Sequence, residues 1–236
     1  MKILAIETSA KAASVCLCED EFLIAQSYQN SGLTHSQTIL PMCEAMLANS
    51  GFTMKDVDLI ACAAGPGSFT GLRIGLSTAK GLAWSLEKPC CAVSTLEAMA
   101  WQVAHIPGEI ICAMDARRKQ VYNARFWSDG KTLTRISDDR AIALEDLFAE
   151  LGEKKEQMVV GDGAELCYNY GRNVGAELTL APAHLRFQSA WGVAQAALIQ
   201  ARAGHTTDAE GLNANYIRLS QAERERLERT QKMKGE

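Results

Sequence analysis

The chain has 236 residues, of which 47% are hydrophobic and 22% charged, a composition typical of a folded globular protein. Its longest uninterrupted apolar stretch, residues 59–64, is far shorter than the ~20 residues that cross a bilayer, so we expect no transmembrane span. The formal net charge of −4 excludes long-range attraction of the whole protein to phosphate backbones, so any nucleic-acid contact must be local or indirect. The eight cysteines have no Cys-x-x-Cys spacing and follow no export signal, which favours reduced thiols in a cytoplasmic protein over disulfides or a zinc site.

The pattern of residues 1–106 predicts one α/β lobe that opens with a three-stranded meander. Alternating apolar runs predict strands at residues 2–8, 13–18, 22–28, 57–63 and 90–93. Helical spacing of apolar residues predicts helices at 34–51, from about Gly71 to about Leu86, and at 95–105. Thr34 and Gly51 are suited to cap the first helix, and Pro41 inside it predicts a kink or an unpaired carbonyl at Gln37.

Near residue 108 the meander begins again, which predicts a second lobe over residues 107–220. Its predicted strands lie at 109–115, 120–127, 132–136 and 158–161, and its predicted helices at 144–151 and 189–202. The first strand of each meander ends in an acid, Glu7 and Asp115. Residues 221–236 follow as a charged helix or tail, for which a solvated surface is the simplest interpretation.

The strongest local motif is the glycine-rich stretch from Gly65 to Gly71, between a buried strand and a helix. It lacks the Gly-Lys-Ser/Thr of a Walker A loop, so two interpretations stay open: a tight structural turn, or a loop whose amides approach an anion. In the helix that follows, small residues recur at intervals of four and form a flat ridge. The ridge indicates packing on the chain's own sheet, with contact to a second chain as the alternative.

A charged cluster, Asp115, Arg117 and Arg118, follows the first strand of the second meander. We interpret it as a structural salt-bridge cluster, although phosphate contact is conceivable for guanidinium groups in this position.

Five motifs make the chain recognisable, and the resemblance extends from residue 1 to about 218. They are Ile3–Ser9, His35–Gln37, Gly65–Gly75, Val93–Ala98 and Asp115–Arg118. Together they resemble the bacterial TsaB (YeaZ) family, in which the long glycine motif is highly specific. The resemblance implies two ribonuclease-H-like lobes of the actin/Hsp70/sugar-kinase (ASKHA) architecture, in agreement with the duplicated meander.

The resemblance also implies a function in making N6-threonylcarbamoyladenosine next to the anticodon of tRNAs. Family members are accessory, non-catalytic subunits that bind and activate TsaD, the subunit that transfers the threonylcarbamoyl group. A TsaE-type ATPase joins the two subunits in a ternary complex, and the chain alone forms a homodimer. Its contact with tRNA is indirect. No membrane is involved.

TsaD carries an H-x-x-x-H metal pair at positions that read Thr95 and Met99 here, and neither suits a divalent ion. The resemblance therefore implies that this chain has no catalytic residues, metal ligands or tightly bound cofactor, and that ATP and a divalent metal belong to partner subunits. A nucleotide-dependent phosphotransferase or a peptidase on the same fold is the alternative.

In the family, the two long helices of the first lobe contact TsaD. The residues we predict for this interface, from the resemblance and from the preference of adaptable interfaces for methionine and aromatic side chains, are Leu33, Ile39, Met42, Met46, Phe69, Arg73, Leu76 and Lys80.

Overall fold

A computed structural model describes residues 1–151 and 157–218, which form two five-stranded sheets and six α-helices. The strands of the first sheet are β1 (Lys2–Glu7), β2 (Ala13–Glu19), β3 (Phe22–Gln29), β4 (Leu59–Gly65) and β5 (Cys90–Ser94). Those of the second are β6 (Gly108–Asp115), β7 (Gln120–Ser128), β8 (Leu133–Ala143), β9 (Gln157–Val160) and β10 (Thr179–Leu180). The helices are α1 (His35–Ser50), α2 (Phe69–Leu86), α3 (Thr95–Gln102), α4 (Leu144–Leu151), α5 (Ala164–Asn173) and α6 (Ala190–Arg202). The predicted charged segment at 221–236 lies outside the described residues.

The two sheets share one topology, which confirms the predicted two-lobe α/β fold. The first has the strand order β3-β2-β1-β4-β5, and the second has the corresponding order β8-β7-β6-β9-β10. In each, the first strand pairs antiparallel with the second and parallel with the fourth. Because β1 and β6 are central, both of their faces are buried, and Glu7 and Asp115 end at equivalent edges.

Helices and sheets alternate in five layers. Helices α1 and α2 cover one face of the first sheet, and α6 covers the other. Helix α3 covers the side of the second sheet that faces the first lobe. Helices α4 and α5 cover the other side of that sheet. None of the helices in residues 1–151 and 157–218 combines the length and apolar character that spanning a bilayer requires.

A division at residue 107 separates the two sheets but does not separate the helices. Helix α6, which the sequence places in the second lobe, packs on the first sheet because its small side chains, such as Ala194 and Ala197, fit against Ile3 and Ala5. Residues 206–218, here called the strap, then return along the first lobe, where Thr207 forms a β-bridge with Cys90. Helix α3 in turn packs on the second sheet.

The small residues of α2 face inward. A Cβ at Gly71 would collide with the backbone carbonyl of Thr8, and one at Gly75 with the Thr8 hydroxyl. The Thr8 hydroxyl instead donates to the carbonyl of Gly71 at 2.8 Å. The ridge therefore packs against the chain's own sheet, as the sequence indicated, and offers no surface to a second chain.

We expect Gly71→Ala to destabilise the protein by about 1–3 kcal/mol, because the added methyl group overpacks a contact with backbone atoms that cannot move independently. Gly81→Ala in the same helix is the matched control, since nothing lies within 4 Å of its Cβ position. It should stabilise the protein by about 0.5–1 kcal/mol through helix propensity. Denaturant unfolding measures both, and equal effects of the two substitutions would contradict this account.

Candidate functional site

The two long helices of the first lobe present one outward surface. Helix α1 is continuous from residue 35 to 50, and Pro41 lies on its exposed side. Gly51 ends the helix in the left-handed conformation, with φ of 76°. Helix α2 begins at its N-cap Ser68, whose Oγ accepts a hydrogen bond from the amide of Gly71 at 3.3 Å.

The structure divides the eight predicted interface residues into two groups. Ile39, Met46 and Leu76 are 1%, 6% and 6% exposed and belong to the core cluster beneath the helices. They correct the prediction, because helical spacing shows that a residue is apolar on one face but not whether that face meets the sheet or solvent. The other five are exposed or half-buried: Leu33, Met42, Phe69, Arg73 and Lys80.

Leu40, which sequence reasoning missed, is 42% exposed on α1. Its apolar character was visible in the sequence, but helical spacing alone does not show whether an apolar residue faces the sheet or solvent. With Leu33, Phe69 and Arg73, it makes up what is called here the docking face. Met42 lies on the other side of α1, beside Ile24 and Ala25 of β3.

An aromatic and cationic stack fixes one end of the docking face. The guanidinium of Arg73 lies 3.8 Å from the centre of the Phe69 ring, and its Nε donates to the hydroxyl of Tyr216 at 3.3 Å. The rings of Phe69 and Tyr216 are 4.9 Å apart between centroids. Further along α2, the Lys80 ammonium donates to the carbonyl of Glu210 at 3.2 Å. The strap therefore holds the cations of α2 in place.

A cleft of about 550 Å³ lies between the lobes and adjoins the docking face at Phe69. Side chains and backbone of the glycine loop, the β1–β2 turn, the β6–β7 turn and the strap line it. The glycines of the loop serve close backbone packing: a Cβ on Gly67 would lie 2.5 Å from the carbonyl oxygen of Ser9, and one on Gly65 equally close to that of Asn215. The amide of Ser68 donates to the Ser9 carbonyl at 2.6 Å. Of the two interpretations of the motif, the structure favours the tight structural turn.

Glu7 lies buried beneath this cleft. Its Oε1 accepts a hydrogen bond from the amide of Ser9 at 2.5 Å, while Oε2 has no partner among the described residues. Burial raises the pKa of Glu7 to about 7; the hydrogen bonds of Ser9 oppose this shift, and nearby Asp162 adds to it. Burial also raises the pKa of Asp162, whose Oδ1 accepts a hydrogen bond from Gln188 at 2.8 Å. Two carboxyl groups near the cleft, the buried Glu7 and the cleft-lining Asp162, therefore have raised pKa values.

The predicted salt-bridge cluster at Asp115, Arg117 and Arg118 is not formed. Asp115 accepts a hydrogen bond from the backbone amide of Arg117 at 2.7 Å. Neither arginine side chain forms an ion pair within the described parts of the chain. Residues 117 to 119 all have positive φ, between 54° and 63°, and all three are exposed.

The two positions that match the metal pair of TsaD are occupied by core side chains. Thr95 and Met99 are fully buried in α3, and Met99 packs in the cluster between α3 and the second sheet. Within residues 1–151 and 157–218, no three His, Cys, Asp or Glu side chains are grouped so that they could hold a metal ion.

The chain is similar to proteins of tRNA modification. Residues 29–224 match the family model described as TsaD, tRNA N6-adenosine threonylcarbamoyltransferase. The tRNA threonylcarbamoyladenosine biosynthesis protein TsaB of Bacillus subtilis is 31% identical over 238 residues, which cover 97% of this chain and 99% of that protein. TsaB of Escherichia coli is 35% identical over 75% of this chain and 78% of its own length. Among solved structures, YeaZ from Pseudomonas aeruginosa aligns with a TM-score of 0.78 and 25% identity, over 91% of this chain and 99% of that one.

The buried position of Glu7 predicts a pH-dependent stability. Its pKa is raised in the folded state, so its contribution is most favourable below about pH 4.5 and is lost as the pH rises toward 7. The free energy of unfolding of the wild type should therefore fall relative to that of Glu7→Gln between these pH values, by up to roughly 3 kcal/mol. Denaturant unfolding at several pH values measures this difference. Parallel pH profiles for the wild type and Glu7→Gln would contradict the prediction, and Glu44→Gln, on the exposed side of α1, should give a profile parallel to the wild type.

Proposed function

Because the chain belongs to the TsaB (YeaZ) family and acts in tRNA threonylcarbamoyladenosine biosynthesis, we propose that it is the accessory, non-catalytic subunit that binds and activates TsaD. The observation that carries the proposal is the docking face, an exposed surface on two packed helices with apolar side chains around one fixed cation. Apolar and aromatic side chains beside an arginine are typical of protein interfaces.

The docking face offers more than isolated apolar residues. Leu33 and Leu40 are 55% and 42% exposed, and Phe69 is half-buried. The stack of Arg73 on Phe69 and Tyr216 orders the arginine before a partner arrives, which lowers the entropy cost of binding. A partner that presents apolar side chains and an acid opposite Arg73 fits this surface.

The residues of the cleft support a non-catalytic role. The β6–β7 turn carries Arg117, Arg118 and Lys119 with side chains where a glycine loop would admit the phosphates of ATP to the backbone. We therefore expect that this chain binds no cofactor tightly, and that ATP and a divalent metal are held by the partner subunits. A phosphotransferase or peptidase activity on the same fold is the alternative.

The proposal extends to the other assemblies implied by the family. A TsaE-type ATPase joins the complex of this chain with TsaD, and tRNA is bound by that complex. In the absence of TsaD, a second copy occupies the docking face and forms a homodimer. One surface thus serves two exclusive partners, in the cytoplasm where tRNA is modified.

Substitution of the docking face should separate partner binding from folding. We expect Arg73→Glu to weaken TsaD binding by about tenfold or more, because a negative charge replaces the ordered cation. Leu40→Glu should have a similar effect through the loss of apolar contact. Isothermal titration calorimetry measures both. Lys131→Glu, on the exposed β7–β8 turn, is the matched control and should bind as the wild type does; equal weakening by all three would contradict the assignment of the face.

A reconstituted transfer reaction tests the accessory role itself. Purified TsaD, TsaE, threonylcarbamoyl-AMP, ATP and tRNA are combined with and without this chain, and modified adenosine is measured by mass spectrometry. We expect product only when both this chain and TsaD are present. Product formed without this chain would refute an activating role, and product formed by this chain without TsaD would refute a non-catalytic one.

A further inference from the structure

Basic side chains surround the mouth of the interlobe cleft. Lys11 from the β1–β2 turn, Arg117 from the β6–β7 turn and Arg218 at the end of the strap line it, and Arg118 and Lys119 continue the β6–β7 turn outward. These five residues are called the basic rim. Across the described ranges, none of them is paired with an acidic side chain. Their charges are therefore available to a ligand, although the whole chain carries a net charge of −4.

The backbone holds the basic rim in an unusual conformation. Three successive residues, Arg117, Arg118 and Lys119, have φ of 63°, 54° and 58°. The left-handed region costs a residue with a side chain about 1–2 kcal/mol. Hydrogen bonds from the amide of Arg117 to Asp115 and from the amide of Leu144 to the carbonyl of Lys119 secure the turn. The result is that all three cationic side chains are exposed at one edge of the cleft.

The opposite wall also favours an anion. The N-terminus of the 18-residue helix α2 faces the cleft, and its first turn contains no acidic residue. A helix N-terminus and cations from both lobes thus converge on one opening.

Acidic side chains also line the cleft. Asp115 and Asp162 are among them, and both are exposed. The negative charge of Asp115 disfavours a phosphate inside the cleft, so an anion is better placed across the mouth, where the cations of the rim lie. An extended polyanion that crosses the surface fits this distribution of charge better than a compact one that fills the cleft.

We propose that the basic rim binds the phosphodiester backbone of RNA directly. The choice of RNA over other polyanions rests on the proposed function, since the family acts on tRNA and the cleft adjoins the docking face at Phe69 and Thr70. An RNA bound to a partner on the docking face can extend across the boundary between this face and the cleft and reach the rim. Arg218 donates to the carbonyl of Ala116 at 3.1 Å, so it ties the end of the strap to the basic turn.

The test measures fluorescence anisotropy of a labelled tRNA transcript with the full-length chain alone. A triple variant, Arg117→Asn, Arg118→Asn and Lys119→Asn, removes three charges while keeping residues that tolerate the left-handed region. It should bind about tenfold more weakly at low salt, and the slope of log affinity against log salt should fall by about 0.7 per lost contact. Lys11→Glu should weaken binding from the other wall of the cleft.

The matched control removes the same charge elsewhere. Lys55→Asn, Arg172→Asn and Lys131→Asn lie on exposed surfaces away from the cleft, and this triple variant should bind tRNA as the wild type does. Equal weakening by both triple variants, or absence of binding by the wild type at low salt, would overturn the proposal. Displacement of the labelled tRNA by ATP with Mg²⁺ would also overturn the proposal and would assign the rim to a free nucleotide. Displacement by poly-glutamate as readily as by unlabelled tRNA would overturn it too and would assign the rim to an acidic polypeptide.

Failure of RNA binding by the rim can be distinguished from failure of TsaD binding by the docking face. Calorimetric binding of the rim variants to TsaD should be unchanged, because none of the substituted residues belongs to the docking face. Loss of RNA binding with intact TsaD binding supports the rim as a separate site. If the rim variants lost TsaD binding instead, the rim would be part of the protein interface, and the RNA assignment would be overturned.

Discussion

The close contact between α2 and the end of β1 is the constraint on which the functional surfaces depend. Gly71 and Gly75 place the helix so near the strand that the Thr8 hydroxyl reaches the Gly71 carbonyl. Because the smallest side chains must face this contact, the larger ones, Phe69 and Arg73, are turned toward solvent and the strap. The same approach brings the amide of Ser68 onto the carbonyl of Ser9, which forms one wall of the interlobe cleft. The glycines set the position of α2, and that position determines both the docking face and one wall of the cleft.

The exchange of helices between the lobes explains why these two surfaces adjoin. Helix α6 completes the first lobe although it follows the second in the chain, and its approach to α3 is so close that Gly192 lies against the carbonyl of Ala98. The chain must then leave along the first lobe, so the strap runs beside α2 and reaches the mouth of the cleft. Tyr216 stacks on the docking face while Arg218 contacts the β6–β7 turn. A partner on α2 therefore touches a segment that also lines the cleft.

The sequence predicted the parts of the fold that depend on regular periodicity. The repeated meander predicted the first three strands of each sheet, and Thr34 and Gly51 located the ends of α1 to within a residue. Helix α5 and strand β10 were missed: α5 has several polar and tyrosine side chains on a short segment, and β10 contains two residues, too few for a pattern.

At the docking face, the adjacent apolar residues Ile39 and Leu40 differ in burial. Ile39 is 1% exposed and Leu40 is 42% exposed. Periodicity cannot separate them, because a core and a partner select the same side chains.

The two acids at equivalent strand ends show how the duplicated lobes diverged. Glu7 is enclosed because the glycine loop and the β1–β2 turn pack against each other above it, and its burial makes ionisation costly. Asp115 is exposed, and the turn after it carries three long cationic side chains in the left-handed conformation. The backbone at the end of β6 is nevertheless closely packed, since a Cβ on Gly161 would lie 2.1 Å from the carbonyl oxygen of Ala113. The two lobes therefore differ in the turn after the acid and not in how closely glycine packs against the strand. The second lobe keeps an open, charged turn, and unpaired charge at a cleft is suited to an anionic partner rather than to the stability of the fold.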